Sequence, residues 1–552
     1  MKIKLYVISA LVILSLTLGA CTPQVKDVVD DVVEEVEEVV EEVKEAVQEV
    51  VEEVVEKPED EAGDARYPKI VIGKPDDPVD LLPLHYNTRA DIFQVIYETL
   101  FDLEEGVYVP RLAKGYTEID ELHWEVELYD YIHDWEGNHI NADDVIYSFE
   151  YHIDSGTQVK FGLFESVEKV DDYKVLFTWT APANLVGGLE HVWCRPVIFS
   201  QKAFEAGDFA TNPVGTGPYT VKEFISGSKI ILEADDNYWQ TDDSLKSFRQ
   251  LQNVQTIEYL IVSEPAQHVI ALQTGDMDYS EIIPQESLAA FDEGGEFGDS
   301  YNVHPRLQGK QWLLVPNQSE GNIGSDKNFR LAIYYAIDNT AMGPASGGAA
   351  AGSKAFGSPA FSDYDPAWEA KENYINTYDI ELAKDYLAQS DYDGKTLKLL
   401  ASNDPETKNI TTVVQGFLTS VGINTEITLM DGRELAGLQS DPTAYDICIN
   451  WIGGGYQIGS WNRPLNLDEF GMDKSMGFIH DETMQEMFNT ANKIETHTPE
   501  NMTALHDYIL DHAYLYNLAY GTGFSVYTSD ITEIVYRENT SFIPSACEYN
   551  LD

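Results

Sequence analysis

The chemistry open to this chain begins with Cys21, which follows the short run Leu18-Gly19-Ala20. Small residues there leave the preceding peptide bond accessible to processing. The other cysteines, Cys194, Cys448 and Cys547, are widely spaced. They allow at most one disulfide, and without a CxxC pair they suggest no zinc site. Catalytic signatures are missing in turn: no HExxH, no GxSxG and no dinucleotide glycine fingerprint occurs. The run Gly347 to Lys354 ends Gly-Ser-Lys where a phosphate loop requires Gly-Lys-Ser. With 95 acidic residues, carboxylate pairs at glycosidase spacing are bound to occur and identify nothing. The 12 histidines are scattered without ligand spacing. No catalytic residue, cofactor or resident metal is therefore expected, and the chain reads as a binder and not an enzyme.

What must position such a binder is legible from the N-terminus onward. Lys2 and Lys4 precede an apolar run from Leu5 to Leu18, too short for a comfortable membrane span. A signal ending in Leu-Gly-Ala-Cys resembles the lipobox of bacterial lipoproteins, which implies a lipidated Cys21 as the mature N-terminus. Within residues 22–66, Val25 to Val55 alternate valine with glutamate, and valines at 25, 29, 32, 36, 39, 43 and 50 fall on a heptad-like seam. As a helix this stretch would reach roughly 50 Å. Glutamates four apart repel and valine is a mediocre helix former, so a charged extended tether is preferred over a paired stalk.

The net charge is -60, and from Tyr67 onward 77 acids still face 29 bases. Such a surface excludes nucleic-acid binding, which needs basic patches. The body is too long for one core and should divide into lobes. Its pattern mixes strand and helix without a repeat. Strands are expected at Ile70–Gly73, His123–Tyr131, Val175–Thr178, Ile257–Val262 and Leu397–Leu400, with a hairpin over Tyr219–Phe224 and Lys229–Glu233. Helical periodicity covers Asp91–Leu103, Ala266–Gln273, Asp326–Asp338, Glu381–Ala388 and Thr411–Val421, and Asn141 is placed to cap another helix. Gly215, Gly217 and Pro218 suit a tight chain reversal, and Asp338 suits a cap.

Short motifs recur in a recognisable order. They are IYETLFDLEEGVYVPRLAKGY (96–116), WEVELYDYIHDWEGNHINADDVIYSFEY (124–151), NPVGTGPYTVKEF (212–224) with Asn237-Tyr238-Trp239, IALQTGDMD (270–278), FRLAIYYAID (329–338), AKDYLAQSDYDGKTLKL (383–399) and VGINTEI (421–427). Together they resemble the extracytoplasmic solute-binding proteins of peptide and nickel ABC importers, family 5. The resemblance implies an α/β fold: a two-lobed, type II periplasmic-binding-protein-like clamshell with an extra subdomain inserted in the first lobe. The implied layout is a signal peptide over 1–20, a lipidated tether over 21–66, a first lobe over 67–108 and 211–308 interrupted by the insert at 109–210, a second lobe over 309–517, and a return to the first lobe over 518–552.

The resemblance also implies partners and a cleft. The partners are ABC permease subunits with their ATPases, and the membrane is reached through the lipid, on the outer face of the cytoplasmic membrane. Lining segments are expected at His85, Tyr86, Asn87, Thr88 and Arg89, at Gln311 and Trp312, and at Trp451, Gly453, Gly454, Tyr456 and Trp461, with Arg195 a weaker candidate. Peptide-binding relatives often place an aspartate about three residues after the tryptophan, to pair with a ligand's ammonium; here Gly454 stands there, and Asp446 lies upstream. The expected solute is an oligopeptide, with an oligosaccharide stacked on the aromatic rings as the alternative and a metal chelate last.

Overall fold

A computed structural model describes residues 66–551, apart from 86–89, 105–106, 156–163, 183–184, 187, 354, 370–377, 454–456, 466–475 and 538–540. The signal and the valine–glutamate tether lie outside the described residues. The first lobe opens on β1 (Tyr67–Lys74), whose Ile70 and Ile72 are fully buried. The inserted subdomain is a four-stranded antiparallel sheet of β2 (Ala113–Asp120), β3 (His123–Leu128), β4 (Phe164–Asp171) and β5 (Lys174–Trp179), in the order β2-β3-β5-β4. Along β3 and β5 every second residue is buried, as period-2 alternation requires of a sheet with one wet face. Helix α1 (Ala142–Asp154) covers the other face. Asn141 caps it as expected: its side chain accepts from Asp143 N at 2.7 Å while Asp144 accepts from Asn141 N at 3.0 Å.

The chain then returns to the first lobe through β6 (Tyr219–Ile225), β7 (Lys229–Ala234), β8 (Val254–Ile261), α2 (Pro265–Thr274) and β9 (Tyr279–Ser280). It crosses into the second lobe on one long strand, β10 (Tyr301–Pro316). There α3 (Lys327–Ala336), α4 (Ile380–Ala388), β11 (Leu397–Ser402), α5 (Pro405–Val421), β12 (Thr425–Met430) and β13 (Ile447–Gly453) follow. A second long strand, β14 (Tyr516–Thr528), crosses back. One 11-stranded sheet runs through both lobes in the order β6-β7-β8-β1-β9-β14-β10-β13-β11-β12, with Ala350–Gly352 paired to β14 off that path. Each lobe buries apolar side chains on both faces of its part of the sheet.

The predicted helix over Asp91–Leu103 forms only at Ala90–Phe93; a turn over 94–96 follows, and the chain is then extended in strands at Glu98–Thr99 and Phe101–Glu104. Tertiary contacts override the periodicity there. Glu98 is fully buried, accepting from Tyr238 OH at 2.7 Å, Gln250 Nε2 at 2.8 Å, Trp239 Nε1 at 2.8 Å and Arg111 Nε at 3.4 Å. Asp102, equally buried, pairs with Arg249 and accepts from Ser247 Oγ at 2.8 Å. These charges lock the insert onto the first lobe. Gly215 and Gly217 act by close approach, not by unusual dihedrals. A Cβ on Gly217 would lie 2.3 Å from Val95 O, and one on Gly215 would lie 2.0 Å from Ile96 O. Cys194, Cys448 and Cys547 are buried thiols outside any disulfide.

Candidate functional site

Strand direction locates a cleft before any side chain is considered. β9 runs antiparallel to β14, so its carboxyl end points toward the second lobe; β13 runs antiparallel to β10, so its carboxyl end points back toward the first. β1 and β8 share the direction of β9, and β11 and β12 share that of β13. Both parallel sets therefore end against one stretch of β10. It runs from Val303, linked in register through Val526 to Ser280, to Lys310, opposite Gly453. That stretch is roughly 23 Å long. Sheets of this kind hold ligands outside the carboxyl ends of their parallel strands.

Charge is concentrated at the first-lobe end. Glu281, just past β9, pairs with Arg306 of β10, and Lys74 at the end of β1 lies 3.5 Å from it. Burial alone would raise the Glu281 carboxyl, but Lys74 and Arg306 hold it below the ordinary carboxylate range. The Arg306 guanidinium also lies 5.1 Å from the Tyr536 ring centroid, and His304 stacks on that ring at 5.4 Å. Burial, then Arg306, push the His304 imidazole below its usual value, so it is neutral near pH 7.

At the second-lobe end the ladder between β10 and β14 slips between Gln308 and Gln311. Trp451 and Trp312 are directly opposite in β13 and β10 and so share a face. Lys310 lies over both, its Nζ 5.1 Å from the Trp451 centroid and 5.5 Å from that of Trp312. Trp312 is fully buried and donates to Thr407 Oγ1 at 2.9 Å, whereas Trp451 is 40% exposed. A Cβ on Gly453 would meet Gly309 O at 2.4 Å, so the end of β13 beside β10 requires glycine.

The predicted lining residues separate accordingly. Trp451, Gly453 and Gln311 come together where β13 ends against β10, with Gln311 buried beneath the surface. Trp461 is fully buried, stacked on Phe356 at 4.6 Å inside a second-lobe core, and Trp312 is likewise a core ring. His85 is half-buried, its Nε2 2.9 Å from Asp80 Oδ1. Tyr86, Asn87, Thr88, Arg89, Gly454 and Tyr456 lie outside the described residues. Arg195 is half-buried, next to Trp193 and Cys194 of the insert's core. Asp446 is at the far end of β13, accepting from Lys398 N at 2.8 Å and Asn322 Nδ2 at 3.1 Å.

Several residues at the site escaped sequence reading. A cavity of about 600 Å³ lies between Tyr108 and Val186 of the first-lobe side and Asp363, Tyr364, Trp368 and His497 of the second lobe. Beside it Val186 N donates to Asn492 O at 2.8 Å, a direct contact from one side to the other. Tyr364 OH donates to Glu369 at 3.0 Å, and burial followed by that carboxylate raises the phenol far above its usual value. A second cavity, about 850 Å³, is lined by Leu307 and Phe524 of the crossing strands and by Gly343, Pro344, Gly347 and Gly348. The dense run Phe361-Ser362-Asp363-Tyr364-Asp365-Pro366-Ala367-Trp368 was the available signal for the first cavity. Among the described residues, no group of three or more His, Cys, Asp or Glu is placed to hold a metal, and no helix is long and apolar enough to cross a membrane.

Comparison with known proteins gives the arrangement a context. The profile "Bacterial extracellular solute-binding proteins, family 5 Middle" matches residues 107–469. The chain is 23% identical over 297 residues to the oligopeptide-binding protein AppA of Bacillus subtilis, a match spanning 50% of each chain. Among solved structures, NikA from Brucella suis in complex with Fe(III)-EDTA has a TM-score of 0.70 at 19% identity, covering 88% of this chain and 100% of that one. The Bacillus subtilis AppA structure with a nonapeptide has a TM-score of 0.63 at 18% identity, covering 88% and 99%.

Proposed function

This chain belongs to the bacterial extracellular solute-binding proteins of family 5, the substrate-binding components of ABC importers, and from that premise we propose that it captures an oligopeptide-like solute between its lobes. The solute is handed to a membrane permease, and the protein is held at the outer face of the cytoplasmic membrane by lipid on Cys21. The observation that carries the reading is the convergence of both parallel strand sets on β10 between Val303 and Lys310. Two crossing strands with a register slip between them support a hinge there, and a hinge lets a solute enter and be enclosed. Relatives differ in cargo: one structure holds a nonapeptide and another Fe(III)-EDTA, so the family alone does not choose the ligand.

The oligosaccharide reading is favoured by one observation, the half-open Trp451 ring at the cleft. Thermal-shift screening of the intact protein against peptide and glycan libraries tests both. A true ligand at one hundred times its Kd stabilises by roughly 2.7 kcal/mol. Stabilisation by glycans alone would replace the peptide reading, and no shift from either library would refute both.

A further inference from the structure

We infer that Lys310 is the cleft's anion anchor and that the captured solute presents a carboxylate to it. The inference rests on interlobe capture and adds the charge of the ligand's recognised end. In a chain with 95 acids and 35 bases, lysines ordinarily find carboxylates. Lys69, Lys114, Lys169, Lys229 and Lys384 all lie within 3 Å of one. Lys310 differs. Among the described residues its ammonium has no carboxylate within ion-pair distance; instead it lies over the faces of Trp312 and Trp451. Indole faces hold a cation in place without neutralising it.

The surroundings select an anion. Arg306, four residues back on β10, and Lys74 are both engaged with Glu281, whereas Lys310 is engaged with no carboxylate among the described residues. Trp312, buried and tied to Thr407, fixes one wall, while half-open Trp451 faces solvent. Opposite Lys310 stands Gly453, where Gly309 O excludes any Cβ, so no side chain from that position fills the space. From Trp451 to Tyr456 the sequence carries no acidic residue, and Asp363 of the interlobe cavity is already engaged by Ile458 N at 3.0 Å and His497 Nε2 at 3.7 Å. Recognition through the anionic end is what these residues can supply.

Isothermal titration calorimetry on the full chain tests this, using tri-alanine, N-acetyl-tri-alanine, tri-alanine amide, trigalacturonic acid and neutral galactotriose. The free-carboxylate peptide is expected to bind at least about tenfold more tightly than its amide, with N-acetylation causing little change. Lys310→Met should abolish that discrimination and Lys310→Arg should keep it; the arginine variant also controls for folding. Equal binding of acid and amide by the wild type, discrimination retained by Lys310→Met, or no binding of either acid class would overturn the inference. Binding of trigalacturonic acid without any peptide would remove the oligopeptide reading yet leave the anchor standing.

Discussion

Replacing Glu98 by glutamine isolates the energetic worth of the charge cluster that joins the insert to the first lobe. Glu98, Asp102, Arg111 and Arg249 have fully buried side chains, so two carboxylates balance two guanidinium groups away from water. Glutamine keeps the volume but removes one charge. It also turns one acceptor into an NH2 group, facing the donors Tyr238, Trp239, Arg111 or Gln250. Two cations are then left to share Asp102. Breaking a buried pair in this way costs about 3–5 kcal/mol. If Arg66–Asp552 unfolds as one unit, with an unfolding entropy of about 2.1 cal/mol/K per residue, Tm falls by about 3–5 °C. Differential scanning calorimetry with urea unfolding measures both quantities. The double variant Glu98→Gln/Arg111→Met restores charge balance and should cost less than the sum of its single changes. A loss below about 1 kcal/mol for Glu98→Gln, or strict additivity in the double variant, would refute the argument that buried charge balance holds this junction.

Three further outcomes are expected. Trp451→Ala should abolish ligand-induced thermal stabilisation while leaving the ligand-free Tm within about 2 °C, because the ring is 40% exposed; an unchanged shift removes Trp451 from the cleft. Gly217→Ala should cost about 1–3 kcal/mol by urea unfolding, since its Cβ would meet backbone at 2.3 Å, while Gly115→Ala, with nothing within 4 Å, should be nearly neutral. Burial lowers His152 to about 4, so above pH 6.5 it is neutral in both folded and unfolded states. As pH falls from 6.5 to 4 only the unfolded chain takes up its proton, and stability is lost, by up to about 3 kcal/mol below pH 4. Wild-type stability should therefore fall more steeply over that window than that of His152→Gln, and parallel profiles would contradict the assignment.

Local signals read well where the physics is local. The cap at Asn141, the alternation in β3 and β5, the β6–β7 hairpin and the cap at Asp338 all form as the residues indicate. The motif series also had a physical cause: Glu98, Arg111, Tyr238 and Trp239 come from two of its segments and meet in one buried cluster. The Asp91–Leu103 helix failed because the close-packed Gly215 and Gly217 meet a turn at Val95 and Ile96 and the buried cluster holds an extended chain from Glu98, which no window of periodicity can register. Aromatic type did not separate exposed rings from core rings. Trp312 and Trp451 are cross-strand neighbours, and only their burial distinguishes them. Lys310 acquires meaning from Trp451 and Tyr364 from the Tyr108 and Val186 that share its cavity, all more than one hundred residues away, and spacing along the chain does not report that.

The three buried thiols have a practical consequence. Cys194 lies in the core of the insert, Cys448 in a core of the second lobe and Cys547 in a core of the first. Burial pushes the Cys547 thiol up to about 12, which silences it further toward alkylation in the native state. Each thiol becomes reactive only when its own core opens. Timed labelling followed by peptide mass analysis would therefore give three separate opening rates from the unmodified sequence, resolving the order in which the parts come apart without any introduced probe.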